Sequence, residues 1–193
     1  MNIPQTLLRN LKLPAIAAPM FLISGPEMVI AACKAGIIGS FPAPNARTPE
    51  ILDQWMTQIT DALANDESAA PWAANLVVHR SNPRLADDIA CVVKHKPPLV
   101  VTALGSPREI IDQVQGYGGL VFADVINIAF AKKAVQAGVD GLVLVAAGAG
   151  GHTGAISGFA FVEEVRKFWD GPIVLGGAIS TGHAIRAAEI LGA

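Results

Sequence analysis

Short apolar segments alternate with longer amphipathic segments along the chain, and this alternation constrains the fold more than any other feature. The apolar segments have the length and the β-branched content of buried strands. Seven strands are predicted, at residues 15–19, 37–41, 72–78, 98–103, 119–124, 141–146 and 172–175. Because a helical pattern follows each of them, the sequence predicts a parallel sheet covered by helices.

Local signals mark where the helices begin and end. Thr48 followed by Pro49 predicts an N-cap and a first-turn proline, while Gly36 and Gly138 predict helix C-termini. A serine three residues before a glutamate predicts a capping box. Two segments have that spacing, residues 24–27 and 106–109.

A doubly wound sheet and an eight-stranded barrel both fit the alternation. The barrel is favoured, because the units are even in length and polar residues recur at the same end of successive strands. Such barrels have about 250 residues, whereas this chain has 193. The sequence therefore predicts an α/β fold of the TIM-type (β/α)8 class, truncated after the seventh strand-helix unit. Residues 1–193 are expected to form a single domain that lacks the eighth strand.

Composition narrows the class of partner. The formal net charge is -2, and no run of lysine or arginine offers a surface for nucleic acid or anionic membrane. Lys34 interrupts the apolar stretch from Met28 to Gly39, so no run reaches the ~18 residues of a membrane-spanning helix. The expected partner is a small-molecule substrate. A homo-oligomer stays open as an alternative.

Residues 1–13 contain Arg9 and Lys12 and lack the apolar segment that is typical of a secretion signal, so none is expected. A cytoplasmic location is the resulting expectation. Cys33 and Cys91 are isolated in helical patterns, and we interpret both as buried free thiols. No metal-ligand spacing is present in the sequence.

Six predicted units place distinctive residues at the carboxyl ends of their strands, where the active sites of barrels lie. These residues are Met20, Asn75, Thr102, Asp124, His152 and the pair Gly176-Gly177. Asn75 is flanked by apolar residues, and its amide is expected either to satisfy neighbouring backbone or to contact a ligand. Asp124 is expected either to act in the site or to cap the following helix.

The segment 148–154 is the strongest candidate for function, since it has four glycines in seven residues after a buried strand. Such a loop is expensive to order and is usually kept because something approaches its backbone closely. His152 is its one side chain that can exchange a proton near neutral pH. Thr153 stands where a dinucleotide fingerprint requires glycine, so that interpretation is weak.

Segment 176–182 joins the seventh predicted strand to a helix and predicts a phosphate site. Bare N–H groups at a helix N-terminus favour an anion, and barrels often bind phosphate after strands seven and eight. The alternative is that Ser180 or Thr181 only caps the helix. Since the sequence offers no activated nucleophile, no metal site and no lysine at a strand end, the chemistry is expected to come from a bound cofactor.

In combination, these motifs resemble the nitronate monooxygenase family, formerly called 2-nitropropane dioxygenases. The similar segments include 18–20, 137–141, 149–154, 176–179 and 187–193, so the resemblance extends over nearly the whole chain. The family implies an FMN-binding barrel in which the flavin oxidises an anionic alkyl nitronate and oxygen accepts the electrons. A small nitronate-like anion and oxygen are thus the implied partners.

The resemblance also implies roles for individual residues. His152 would be catalytic, beside the substrate near the flavin ring. Many members carry a lysine where this chain has Asp124, and the second phosphate-binding segment of the family follows strand eight. The implied cofactor-binding residues are Ala18, Pro19, Met20, Asn75, Asp124, Gly150, Gly151, Gly176, Gly177 and Ser180.

Two other functions stay open. One is a flavin-dependent enoyl-thioester reductase on the same barrel, which would use a nicotinamide cofactor. The other is a catalytically silent ligand-binding or assembly subunit, suggested by Asp124 and by the missing strand.

Overall fold

Six parallel strands form one sheet in which the spatial order follows the chain. The structure is a computed structural model that describes residues 4–193. The strands are β1 (Gly39–Pro42), β2 (Trp72–Val77), β3 (Leu99–Ala103), β4 (Leu120–Val125), β5 (Gly141–Val145) and β6 (Ile173–Gly176). A helix connects each strand to the next, which is the topology of a TIM-type barrel with part of its wall.

Seven of the eight α-helices in residues 4–193 lie where the sequence predicts them, with shifts of a few residues, and the short first helix was not predicted. The eight are α1 (Gln5–Leu8), α2 (Pro26–Ala35), α3 (Pro49–Ala64), α4 (Leu85–His95), α5 (Arg108–Gly116), α6 (Ile128–Ala137), α7 (Gly158–Arg166) and α8 (Gly182–Leu191). The Thr48 side chain accepts from the Ile51 N–H at 3.3 Å, which confirms the predicted N-cap of α3. Gly36 and Gly138 have φ of 93° and 94°, as the predicted C-termini require.

The two predicted capping boxes are wrong. Gly25 is the N-cap of α2, and Pro107 is the N-cap of α5, with no side-chain cap at either helix. The Ser24 hydroxyl instead accepts from the Met20 N–H at 2.9 Å, because the preceding segment turns back on itself. Ser106 accepts from the Arg108 N–H at 3.5 Å, a local turn rather than a box.

The predicted first strand, residues 15–19, is also wrong as a strand. It forms a single parallel bridge between Ile16 and Ile38. Prolines at positions 14 and 19 bracket the segment and remove two backbone donors. The bridge nevertheless keeps the segment beside β1, where the first strand of a barrel belongs.

The two faces of the sheet pack separately. The helices cover one face and form the main core with side chains such as Val100, Val121 and Leu144. The concave face holds a smaller apolar cluster that fills the inside of the barrel. Its buried members are Leu7, Ile38, Ala73, Leu99, Val101 and Phe122, and Ile16, Leu120, Val143 and Val174 pack against them.

Both cysteines are free, as predicted, although burial differs between them. Cys33 is fully buried and Cys91 is half-buried. Among residues 4–193, no helix is both long enough and apolar enough to cross a membrane.

A close approach between α2 and β1 explains the glycine at position 39 and yields a prediction. A Cβ at Gly39 in β1 would lie 2.4 Å from the Val29 carbonyl oxygen of α2, whereas a Cβ at Gly116 would meet nothing within 4 Å. We expect Gly39→Ala to lower the free energy of unfolding by about 1–3 kcal/mol, as other overpacked cores do. Gly116→Ala, at the end of a helix, should be neutral or slightly stabilising. Urea denaturation of both variants measures the difference, and equal stability would show that α2 moves freely away from β1.

Candidate functional site

Register and strand alternation bring predicted site residues from three strands to one level inside the barrel. In the register of the sheet, Asn75 on β2 pairs with Val101 on β3, and Val101 pairs with Phe122 on β4. Asp124 lies two residues after Phe122 on the same strand. Asp124 is likewise level with Val143 and then Val174, two residues before Gly176. In a TIM-type barrel the strands are staggered, so that a layer perpendicular to the barrel axis moves by about one residue from each strand to the next. Side chains from alternate strands fill each layer, and members of one layer are therefore offset by two residues in register. Asn75, Asp124 and Gly176 therefore belong to the same layer, which we call the polar layer.

The polar layer lies on the carboxyl side of an apolar layer built in the same way. Ala73, Phe122 and Val174 precede the three residues by two positions and belong to the inner cluster. Ile16 also packs against that cluster, and Ala18 follows it by two residues. Apolar side chains thus fill the inside of the barrel towards the amino ends of the strands, and the polar groups are concentrated at the carboxyl ends.

Asp124 is the one charged residue within the six strands. Burial raises the pKa of its carboxyl group to about 7, and the smaller, opposing effect is a hydrogen bond from Asn75. The helix that follows is capped by Asn127, whose side chain accepts from the Phe130 N–H at 2.8 Å, so Asp124 does not cap it. The carboxyl group is free for a role inside the barrel.

Asn75 is buried, with 6% of its surface exposed. Its amide nitrogen donates to the Val101 carbonyl at 3.2 Å. The amide thus satisfies neighbouring backbone, which was the first alternative predicted for it, and it also interacts with Asp124. Thr102, by contrast, points away from the polar layer, because its hydroxyl donates to the Phe122 carbonyl and its neighbour Val101 is the inward residue.

The segment around Pro19 and Met20 is held by the side chains of Ser24 and Asn45, neither of which was predicted to have this role. Ser24 accepts from the Met20 N–H, and its hydroxyl lies 3.4 Å from the Ala18 carbonyl. Asn45 donates to the carbonyls of Met20 and Ser24 at 3.0 Å and 2.8 Å. The signal for Asn45 was weak, since a lone asparagine in a proline-rich loop ordinarily indicates only a turn.

The glycines of the loop after β5 have different structural reasons. A Cβ at Gly154 would lie 2.4 Å from the Val145 carbonyl oxygen, so packing requires that glycine. A Cβ at Gly150 would meet nothing within 4 Å, and Gly150 is not among the residues with positive φ. Gly151 has φ of 70° and also faces open space. His152 follows them, exposed, while the Thr153 hydroxyl anchors the loop to the Ala146 carbonyl at 2.9 Å.

The loop after β6 packs directly against the loop after β5. Gly177 has φ of 138°, and a Cβ there would lie 3.1 Å from the Ala147 carbonyl oxygen. Thr181, not Ser180, caps α8 by accepting from the Ala184 N–H at 3.2 Å, and Ser180 is exposed. Gly182 opens the helix with space beside it. A helix N-terminus bordered by bare backbone is suited to an anion.

Charge is distributed unevenly between the two ends of the sheet. Among the loops that connect a helix with a strand, those leaving the carboxyl ends contain Arg47, Arg80 and Arg84 and no acidic residue. All acidic loop residues lie at the amino ends: Asp66, Glu67, Asp140 and Asp170. Arg84 pairs with Asp88 at 2.9 Å. This leaves Arg47 and Arg80 as the exposed arginines at the carboxyl ends of the strands, the region that we call the mouth. This arrangement attracts anions to the carboxyl end.

Apolar side chains are exposed in the same loops. Leu22 and Ile23 are each 68% exposed, beside Phe21 at 59%. Leu104, Ile126 and Ile179, which follow β3, β4 and β6, are exposed by 36–49%. A mouth with apolar sides, bare glycine backbone and a few buried polar groups fits a largely apolar ligand that carries an anionic group.

Of two cavities in residues 4–193, one lies away from this mouth and the other borders it at Gly177 and Ile179. One, of about 450 Å³, is at the amino ends of the strands between Arg9, Glu67, Lys96 and Tyr117. The other, of about 280 Å³, lies between α7, α8 and the loop after β6. We place the site at the carboxyl ends, because the amino ends of barrel strands serve stability. No group of three or more His, Cys, Asp or Glu side chains in residues 4–193 could hold a metal ion.

Comparison with known proteins agrees with this architecture. The fold and the inward polar layer define a TIM-type barrel protein with its candidate site at the carboxyl ends of the strands. Residues 4–193 match the model of the nitronate monooxygenase family. The chain belongs to that family.

Individual relatives are longer than this chain. A nitronate monooxygenase from Paraburkholderia phytofirmans is 27% identical, over 93% of this chain and 60% of its own length. A dehydrogenase of a hydroxy-methyl-oxo-octahydroindene carboxyl-CoA from Rhodococcus jostii is 24% identical, over 93% of this chain and 49% of its own length. The chain therefore spans about half to three fifths of these relatives.

Solved structures share the fold. FabK from Thermotoga maritima has a TM-score of 0.86 at 24% identity, covering 100% of this chain and 60% of FabK. A nitroalkane oxidase from Streptomyces ansochromogenes has a TM-score of 0.87 at 22% identity, covering 97% of this chain and 65% of the oxidase.

The lone carboxyl group of Asp124 predicts a specific pH dependence of stability. Its folded-state pKa lies at about 7, above the value of about 4 in an unfolded chain. Ionisation therefore costs the folded state stability, increasingly as the pH rises from about 4 to about 7. Asp124→Asn should be more stable than the wild type by about 3–4 kcal/mol at pH 8, with the gain vanishing near pH 4.

Urea denaturation of the protein at several pH values measures this gain. Asp61→Asn, an exposed position on α3, is the matched control and should follow the wild type throughout. If Asp124→Asn also runs parallel to the wild type, the carboxyl group is not held in a desolvating environment.

Proposed function

We propose that residues 1–193 form a single FMN-binding barrel domain of an oxidoreductase that oxidises alkyl nitronates with molecular oxygen. The observation that carries this proposal is the polar layer of Asn75, Asp124 and Gly176, bordered by two loops with bare glycine backbone. Family membership supports it. So does the similarity to the nitronate monooxygenase of Paraburkholderia phytofirmans.

The residues proposed to hold FMN come from five parts of the mouth. The residues present fit the group, since Gly150 is bare where neither packing nor backbone conformation requires it. FMN, when bound, supplies the redox chemistry. The proposed contacts are Ala18, Pro19, Met20, Asn75, Asp124, Gly150, Gly151, Gly176, Gly177 and Ser180, with the N-terminus of α8 beside the phosphate.

His152 is the proposed catalytic residue. It is exposed in a loop that Thr153 ties to the Ala146 carbonyl, so it is accessible to substrate and still anchored. An imidazole can orient an anionic nitronate through its ring N–H and can hold or release a proton at a ring nitrogen. Arg47 and Arg80 would raise the local concentration of an anionic substrate.

A second candidate is reduction of an enoyl thioester with a nicotinamide cofactor. Asp124 favours it, because a carboxyl group in the polar layer repels an anionic nitronate when it is ionised. The fold of FabK and the CoA-ester dehydrogenase from Rhodococcus jostii are in keeping with this alternative.

Anaerobic spectroscopy decides between the two. Under the first proposal, a nitronate bleaches the absorbance of FMN bound to the purified chain, and NADH or NADPH does not. His152→Ala should slow that bleaching by about a hundredfold, as loss of an acid–base group does, and leave FMN affinity nearly unchanged. Bleaching by a reduced nicotinamide alone would select the second candidate, and failure to bind FMN would refute both.

Glycines of the β5 loop provide a separate test of the binding mode. Gly150→Ala places a methyl group in open space, so stability should be unchanged while FMN affinity falls about tenfold, equivalent to about 1.4 kcal/mol. Gly154→Ala places a methyl group against the Val145 carbonyl and should destabilise the fold itself. Flavin fluorescence titration with thermal denaturation separates the effects. Unchanged affinity in Gly150→Ala would mean that the flavin does not approach this backbone.

A further inference from the structure

Asp124 is surrounded on the inner face by groups that cannot compensate a negative charge. The inward positions of the neighbouring strands are Val101 and Ala103 on β3, Val143 and Val145 on β5, and Gly176 on β6. The polar side chains on this face are Ser40, whose hydroxyl donates to the Ala17 carbonyl, and Asn75. Asp124 is half-buried, and its one hydrogen-bond partner on this face, Asn75, is uncharged. A desolvated charge without an opposite charge is costly, and such a group tends to become neutral.

Charged groups of the surrounding loops do not stabilise the ionised form of Asp124. Arg47, Arg80 and His152, in the loops after β1, β2 and β5, are all exposed. None of them contributes to the raised pKa of Asp124, which comes from burial and is opposed by Asn75 alone. The carboxyl group is therefore poised between its two forms near neutral pH while the mouth is open to water.

We propose that Asp124 becomes a neutral carboxylic acid when FMN covers the mouth, so that flavin binding takes up one proton from the solvent. The inference rests on the proposed FMN site. A bound flavin excludes the remaining water from the polar layer and brings no cation, so it disfavours the ionised form further. The protonated group then presents an O–H donor to the site and no longer repels an anionic substrate.

Calorimetric titration measures the proton directly. FMN is titrated into the full chain at pH 8 in two buffers with different enthalpies of ionisation, and the difference in heat gives the protons taken up per flavin. Riboflavin is titrated in parallel, because it lacks the phosphate, whose second pKa is about 6. Asp124→Asn is the test variant, and Asp61→Asn, exposed on α3, is the control.

We expect uptake of about 0.8–1 proton per flavin in the wild type and in Asp61→Asn, and about zero in Asp124→Asn. A second measurement needs only the wild type: its dissociation constant for FMN should rise by up to about tenfold per pH unit above pH 8. Binding of either flavin without proton uptake would overturn the inference and leave the proposed function intact. Absence of flavin binding would overturn both.

Discussion

The common direction of the six strands is the constraint on which the rest of the structure depends. Parallel strands need helical crossovers, which bury one face of the sheet and leave every carboxyl end at the same edge. Residues far apart in sequence, such as Asn75, Asp124 and Gly176, therefore reach one layer without any direct link between them. The apolar layer beneath, with Phe122 at its centre, separates this mouth from the amino end of the barrel.

The mouth combines two electrostatic features that pull in opposite directions. Its loops carry arginines and no acidic residue, which draws anions towards it. Inside, an uncompensated carboxyl group repels anions whenever it is ionised. Protonation of Asp124 removes its negative charge, so the interior no longer repels the anions that the arginines attract to the mouth. An isolated charge of this kind lowers stability, and such costs concentrate at functional sites.

Much of the fold could be predicted from the sequence because strand and helix periods differ so clearly. Six of the seven predicted strands are present, and Thr48, Gly36 and Gly138 mark helix ends as expected. The capping boxes failed because Ser24 accepts from Met20, outside its helix, and because Pro107 rather than Ser106 is the N-cap of α5, so that Ser106 makes only a local turn with Arg108. The prediction that Thr102 faces the site was wrong, because successive side chains of a strand alternate between its two faces and Val101 is the one that points inward. Which of the two points inward is not visible in the sequence of β3 alone. Asn45 was missed since its partners lie more than twenty residues away.

The central claim is that FMN lies over the polar layer at the carboxyl ends of the strands. A crystal structure of the chain grown with FMN tests it most directly. We expect an isoalloxazine ring against Asn75 and Asp124, with the phosphate of FMN beside Gly177 and the N-terminus of α8. A flavin found instead in the amino-end cavity between Arg9 and Lys96 would contradict the account.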